Sequence, residues 1–297
     1  MSGPGADRPA GSRSDIEAGD ALVRLSLRIL AGYLAITLVP LARWSAAQHS
    51  WAPLIAHTAA LTVALLAAAA RPSETRGLRD WVPLGLGPFL YVELRWIIEA
   101  VGRPHADALV AGWESVLFSS DPSRSLAPLL PSVALSEVLH FCYLAYYALV
   151  YVPPALLWLR GRRRAFAETV LALVVVYAAC FAMYALFPVD GPRFVRGPSM
   201  AQAGPIRTIA MRLLESGSSR GTAFPSSHVA ASVVAALCAL RHQRRTGLVV
   251  AILTVGLAIG AVYGGYHYGV DIVAGALTGL SAFAISRVLA RRATLSA

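Results

Sequence analysis

Two short segments carry the side chains best suited to chemistry. One is Gly221-Thr222-Ala223-Phe224-Pro225-Ser226-Ser227-His228; the other is Gly264-Gly265-Tyr266-His267-Tyr268-Gly269-Val270-Asp271. In the first, Pro225 suits the opening turn of a helix, and Ser226 and Ser227 suit its cap. The free N–H groups and the dipole of a helix start form an anion site, with His228 one turn in. In the second, His267 and Asp271 are four residues apart, so a helical backbone sets them on one face. A carboxylate there holds one imidazole nitrogen as N–H and leaves the other free to attack an electrophile. A lone histidine in an apolar helix is as often a hydrogen-bonded core residue. Two histidines, an aspartate, a helix start and nearby arginines at one depth read instead as a phosphoryl-transfer site.

The elements that position these residues are predicted to be membrane helices. The chain of 297 residues is 57% hydrophobic and 14% charged, against about a quarter charged in soluble domains. Its mean hydropathy is +0.59. Spanning a bilayer as a helix takes roughly 20 apolar residues. Such runs fall near 21–41, 52–70, 82–101, 133–159, 165–187, 225–241, 247–267 and 270–290. The expected fold is an all-α, polytopic membrane bundle. Residues 1–20 read as a disordered cytoplasmic tail, 21–81 as N-terminal transmembrane helices, and 82–297 as a membrane-embedded catalytic core. Cys142, Cys180 and Cys238 lie in apolar runs without metal-ligand spacing, so they read as packing residues.

The net charge is +10, and every basic residue is an arginine. The arginines sit in short clusters between apolar runs: Arg71, Arg76 and Arg79; Arg160 and Arg162 to Arg164; Arg241, Arg244 and Arg245; Arg287, Arg291 and Arg292. That placement is a topology signal and a contact for anionic lipids; it is not the basic stripe of a nucleic-acid binder. With both termini inside, all four clusters are cytoplasmic in a multi-pass protein of the inner (plasma) membrane, and the two histidine segments share the extracytoplasmic face. Segments 102–132 and 188–224 lie on that face too. The second holds Arg193, Arg196, Arg207 and Arg220, against the positive-inside bias, and anion binding accounts for them. Glu93, Arg95 and Glu99 in the third run are the one cluster that suits a transporter relay, but the chain shows no inverted repeat.

The motif pattern resembles the type-2 phosphatidic acid phosphatase and vanadium haloperoxidase superfamily. Pro225-Ser226-Ser227-His228 matches its Pro-Ser-Gly-His motif with Ser for Gly, and His267 with Asp271 matches the end of its last motif. The resemblance covers roughly 82–290, a six-helix phosphatase core behind about two additional N-terminal helices. Two family positions differ: the last-motif Arg falls at Ala261, and the first-motif Lys at Leu186, with Arg193 standing for the first-motif Arg. Phe187–Arg193, Trp113–Pro122 and Ser136–Tyr147 are similar to the inositol-phosphorylceramide-synthase-like branch.

The resemblance implies roles. His267 attacks phosphorus and forms a phosphohistidine, and Asp271 orients it. His228 protonates the leaving oxygen, then activates water or an acceptor hydroxyl. Ser226, the backbone N–H of Ser227 and Arg193 hold the phosphoryl oxygens, with Arg196 or Arg220 in place of the absent arginine. Neither metal nor cofactor is called for. The implied partners are membrane lipids and a lipid phosphate such as phosphatidic acid or a polyprenyl phosphate. Transfer of a phospho-head-group such as phosphoinositol to an alcohol is the alternative.

Overall fold

The computed structural model describes residues 13–70 and 76–295. All regular structure among them is helical: α1 (Arg13–Gln48), α2 (Ala52–Ala69), α3 (Arg76–Gly85), α4 (Gly87–Val101), α5 (Asp107–Phe118), α6 (Pro122–Leu129) and α7 (Val133–Leu144), followed by α8 (Tyr146–Leu159), α9 (Arg163–Leu186), α10 (Pro192–Arg196), α11 (Pro205–Gly217), α12 (Ser227–His242), α13 (Arg244–Tyr263) and α14 (Gly269–Leu295). Each of the eight apolar runs falls on helix. Helices α1, α2, α9, α13 and α14 are long and apolar enough to cross a bilayer, and α7 with α8, bent by 45° at their junction, makes a sixth such element. Outward-facing Ile36, Ile55, Leu66 and Ile252 are all more than 60% exposed. An apolar exterior of this kind belongs in lipid rather than water.

Two expectations change in detail. The tail expected to be disordered over 1–20 is helical from Arg13 onward, and residues 1–12 lie outside the described residues. Ala18 is buried and Asp20 pairs with Arg24 and Arg79, so the first turns of α1 have packing partners. The third apolar run is split at Leu86 into α3 and α4, the latter only 15 residues long.

The centre of the bundle is α9, which packs against α1, α4, α8, α12 and α14. Close approach of α12 and α14 rests on small residues. A Cβ on Gly275 would lie 2.6 Å from the Ser226 carbonyl oxygen, and one on Gly279 would lie 2.6 Å from that of Ala230. In a membrane, where apolar burial gives helices little reason to associate, such backbone contact is what draws them together. The start of α14 is therefore seated against the start of α12.

The N-terminal helices are tied to the rest by a polar clasp. His57 of α2, fully buried, meets the Glu93 carboxylate of α4 at 2.9 Å through Nδ1 and the Leu34 carbonyl of α1 at 2.8 Å through Nε2. Arg95 and Glu99 point outward on α4, so the three ionisable residues of this run do not form one relay. At the other extreme, Arg164, Arg241, Arg287 and Arg291 line one pocket. Three of the four arginine clusters therefore converge at the end of the bundle opposite the two histidine segments.

Candidate active site

The loop that carries His267 is held from three sides. The Ala261 carbonyl accepts from the N–H groups of Tyr266 and His267 at 2.9 and 3.2 Å. The N–H of Tyr268 donates to Asp271 Oδ2 at 2.8 Å. Glu114 of α5, 1% exposed, accepts from the N–H groups of Gly269 and Val270, both at 2.8 Å. These are two of the orphan donors at the start of α14, and a buried carboxylate is the strongest acceptor they could find. The sequence reading missed Glu114, whose partners lie 155 and 156 residues away.

His267 and Asp271 come together as their spacing requires, with Nδ1 to Oδ2 at 3.4 Å and the carboxylate fully buried. Burial holds the His267 imidazole down to about 4; a hydrogen bond with the Ala223 backbone opposes this, and the Arg193 charge adds to it. The ring is thus neutral near pH 7, with a lone pair on one nitrogen. His228 stands 6.2 Å away between ring centres, close enough for both imidazoles to reach one phosphoryl group. Tyr143 stacks on His228 at 5.2 Å and Tyr146 lies at 4.2 Å, so aromatic faces set its orientation.

At the start of α12 the cap predicted at Ser226 forms, while Pro225 falls outside the opening turn and Ser227 within it. Ser226 is the N-cap, its Oγ accepting from Val229 N–H at 3.4 Å, and the helix begins at Ser227, so Pro225 stands just outside it. Ser226 N–H donates to the Asp271 carbonyl at 3.0 Å. Ser227 N–H, expected to face a phosphate, instead donates to the Tyr184 hydroxyl at 3.0 Å. The Tyr184 hydroxyl in turn donates a hydrogen bond to the Pro225 carbonyl at 2.8 Å. These backbone groups brace the histidine segment.

Arg193 is brought into place by a short pairing of two loops. Val189 and Thr222 form a parallel bridge, with Ala223 N–H donating to the Val189 carbonyl at 2.8 Å. Gly191 then turns the chain with φ +86°, and a Cβ there would sit 2.9 Å from that of Ala223. Only glycine meets both demands at low cost. Asp107 of α5 accepts from the N–H groups of Asp190 and Gly191, and Asp190 from that of Gly221. His105, Asp107 and Asp190 lie close enough together to form a metal-binding group; both Asp107 oxygens and Asp190 Oδ1 accept from these three backbone donors.

The resulting cavity, about 30 Å³, is lined by His228, His267, Arg193, Ser218, Ser219, Tyr91 and Tyr266, among others. Arg193 hydrogen-bonds Ser218. The Ser219 hydroxyl is buried and has no hydrogen-bond partner among the described residues, which leaves it able to donate to a bound oxygen. Neither Arg196 nor Arg220 lines the cavity. Arg196 is paired with Asp121, while Arg220 is 66% exposed and 3.7 Å from Asp190. The serines lie two and three residues before the Gly221–His228 segment, and that nearness was the available signal for them.

A second cavity of about 210 Å³ adjoins the first and shares Tyr91, Tyr143, Leu214, Ser218 and His228 with it. Its other walls include Leu30, Leu84, Leu90, Val150, Val174 and Phe181. An apolar cavity of about 150 Å³ already takes up benzene, so this one has room for part of a hydrocarbon chain. Among families of known proteins, a model described as the PAP2 superfamily matches residues 112–285, from α5 into α14 and across both histidine segments. No curated protein and no solved structure matches the chain.

Proposed function

Because the chain belongs to the PAP2 superfamily, we propose that it is an integral-membrane lipid-phosphate phosphatase working through a phosphohistidine on His267. The observation that carries this reading is the junction of the two cavities at His228. A polar site with two histidines and an arginine opens onto apolar space suited to a lipid tail.

The chemistry follows from the geometry. A neutral His267 nitrogen attacks phosphorus while Asp271 orients the ring and stabilises its growing charge. As the phosphorus–oxygen bond to the lipid breaks, His228 gives the departing oxygen a proton. His228 then takes a proton from water as its oxygen attacks phosphorus; the phosphorus–nitrogen bond breaks, its electron pair returns to His267, and phosphate leaves. Arg193 and the Ser219 hydroxyl suit the phosphoryl oxygens, whose charge spreads in the transition state. Arginine clusters at the opposite end of the bundle favour the extracytoplasmic face for this site.

The test uses purified full-length protein and a panel of lipid phosphates that includes phosphatidic acid and a polyprenyl phosphate. Inorganic phosphate should appear without an added acceptor, and a labelled phosphoenzyme should be trapped on the wild type but not on His267→Ala. Near-normal turnover by His267→Ala would overturn the nucleophile assignment. The Phe187–Arg193 pattern favours one second reading, transfer to an alcohol. If no phosphate is released and label passes instead from phosphatidylinositol to a second lipid, transfer replaces hydrolysis.

A further inference from the structure

The other end of α12 carries a site that the chemistry above does not use. His228 opens this helix and Arg241 and His242 close it, about 20 Å away at 1.5 Å per residue. There the ends of α9, α12 and α14 surround a pocket of about 100 Å³, lined by Arg164, Arg241, Arg287, Arg291, His242 and Glu168 over a floor that includes Cys238, Phe283 and Ser286. Four guanidinium groups face a single carboxylate. Glu168 is already engaged by Arg164 at 3.1 Å, Arg241 at 3.8 Å and His242 at 3.2 Å. Arg287 and Arg291 have no carboxylate partner among the described residues; Arg287 lies over the Phe283 ring at 5.8 Å.

A pocket with an excess of three positive charges, two of them unpaired, calls for an anion with several acceptor oxygens. Phosphate esters fit that description, and guanidinium forks match their oxygens in pairs. The surroundings say which ester. Val273, Leu277 and Leu280 leave an exposed apolar stripe along the side of α14 that carries Arg287 and Arg291. An acyl chain can lie along that stripe while its headgroup occupies the pocket, which a free anion would leave unused. We propose that this pocket binds the phosphate headgroup of an anionic phospholipid from the leaflet opposite the histidine site. Basic pockets between helix ends are the usual way such headgroups are held.

The experiment measures thermal unfolding of the full-length protein in detergent, titrated with phosphatidylglycerol, phosphatidylcholine, glycerol 3-phosphate or inorganic phosphate. Phosphatidylglycerol should raise the midpoint and phosphatidylcholine should not. Arg287→Gln with Arg291→Gln should weaken the phosphatidylglycerol effect about tenfold or more, since two charge-assisted contacts are lost. Both side chains are exposed, so the variant should fold; Arg287→Lys with Arg291→Lys, which keeps the charge, checks this by retaining part of the effect. Arg244→Gln with Arg245→Gln removes equal charge from exposed positions outside the pocket and should leave the effect intact. Equal loss in both glutamine pairs, or loss in neither, overturns the site. An equal rise with inorganic phosphate, lost in the same variant, overturns the lipid assignment and makes the ligand a free anion.

Discussion

A single methyl group placed between α12 and α14 should separate the two histidines. In Gly275→Ala the new Cβ would lie 2.6 Å from the Ser226 carbonyl oxygen, whereas an ordinary contact needs about 3.4 Å. The atom it meets is backbone, so no side chain can swing aside, and the helices must part by about 0.8 Å at that level. Ser226 adjoins the His228 turn, and Gly275 lies one turn beyond Asp271 on the same face. The displacement therefore falls on the alignment of His228 with His267. Misplacement of about 1 Å at a reacting centre costs on the order of 100-fold in rate, and overpacking of this kind costs about 1–3 kcal/mol in stability. Turnover of a lipid phosphate should fall roughly 30- to 100-fold, with a midpoint lower by a few degrees in the same detergent. Gly32→Ala is the matched control, because its Cβ would meet nothing within 4 Å. Turnover and midpoint equal to those of the wild type in Gly275→Ala would show that the glycine is not what sets the spacing.

Other perturbations should separate positioning from chemistry. Glu114→Ala strands one buried and one part-buried N–H group, at about 1–3 kcal/mol for the buried one; unfolding midpoints should drop, and kcat should fall much more than KM changes, with partial recovery in Glu114→Gln. If kcat and stability both stay at wild-type values, Glu114 does not hold the His267 loop. Burial of His267 sets a pH profile: the acid limb of kcat/KM should lie near pH 4, and a limb near 6.5 would mean an exposed ring. Because its folded value is lowered, the unfolded chain binds the extra proton between about 4 and 6.5. The stability from this group is therefore complete above 6.5 and is lost as pH falls toward 4. His57→Leu leaves Glu93 buried and unpaired, a loss of about 3–5 kcal/mol, whereas His57→Leu with Glu93→Leu should recover most of it. Additive losses in a double-mutant cycle would show that the two do not act as a pair.

What the sequence made legible was whatever depends on local periodicity. The apolar runs located the helices, and the four-residue step from His267 to Asp271 set both on one face. Partner choice was not legible, because it is decided by residues far along the chain. The motif pattern singled out Arg193 but could not decide between Arg196 and Arg220; Asp121 engages Arg196 and Asp190 lies near Arg220, and neither lines the cavity with Arg193. Ser227 N–H read as an open donor because Tyr184, 43 positions earlier, could not be foreseen as its acceptor. Nothing local marks Asp107 or Glu114 either, and each accepts from backbone donors far along the chain.

The larger cavity has a consequence for how this protein could change over time. Leu30, Pro83, Leu84 and Leu90, which close one side of it, precede the segment shared with the superfamily, whereas His228, Tyr143 and Val150 lie within that segment. One wall of the room thus lies in a stretch of the chain separate from the histidines. Substitutions at these four positions can deepen or shorten the space beside His228 without changing a residue that lines the smaller cavity. Changes in the first hundred residues can therefore alter which hydrophobic groups fit there while the histidine pair is left in place.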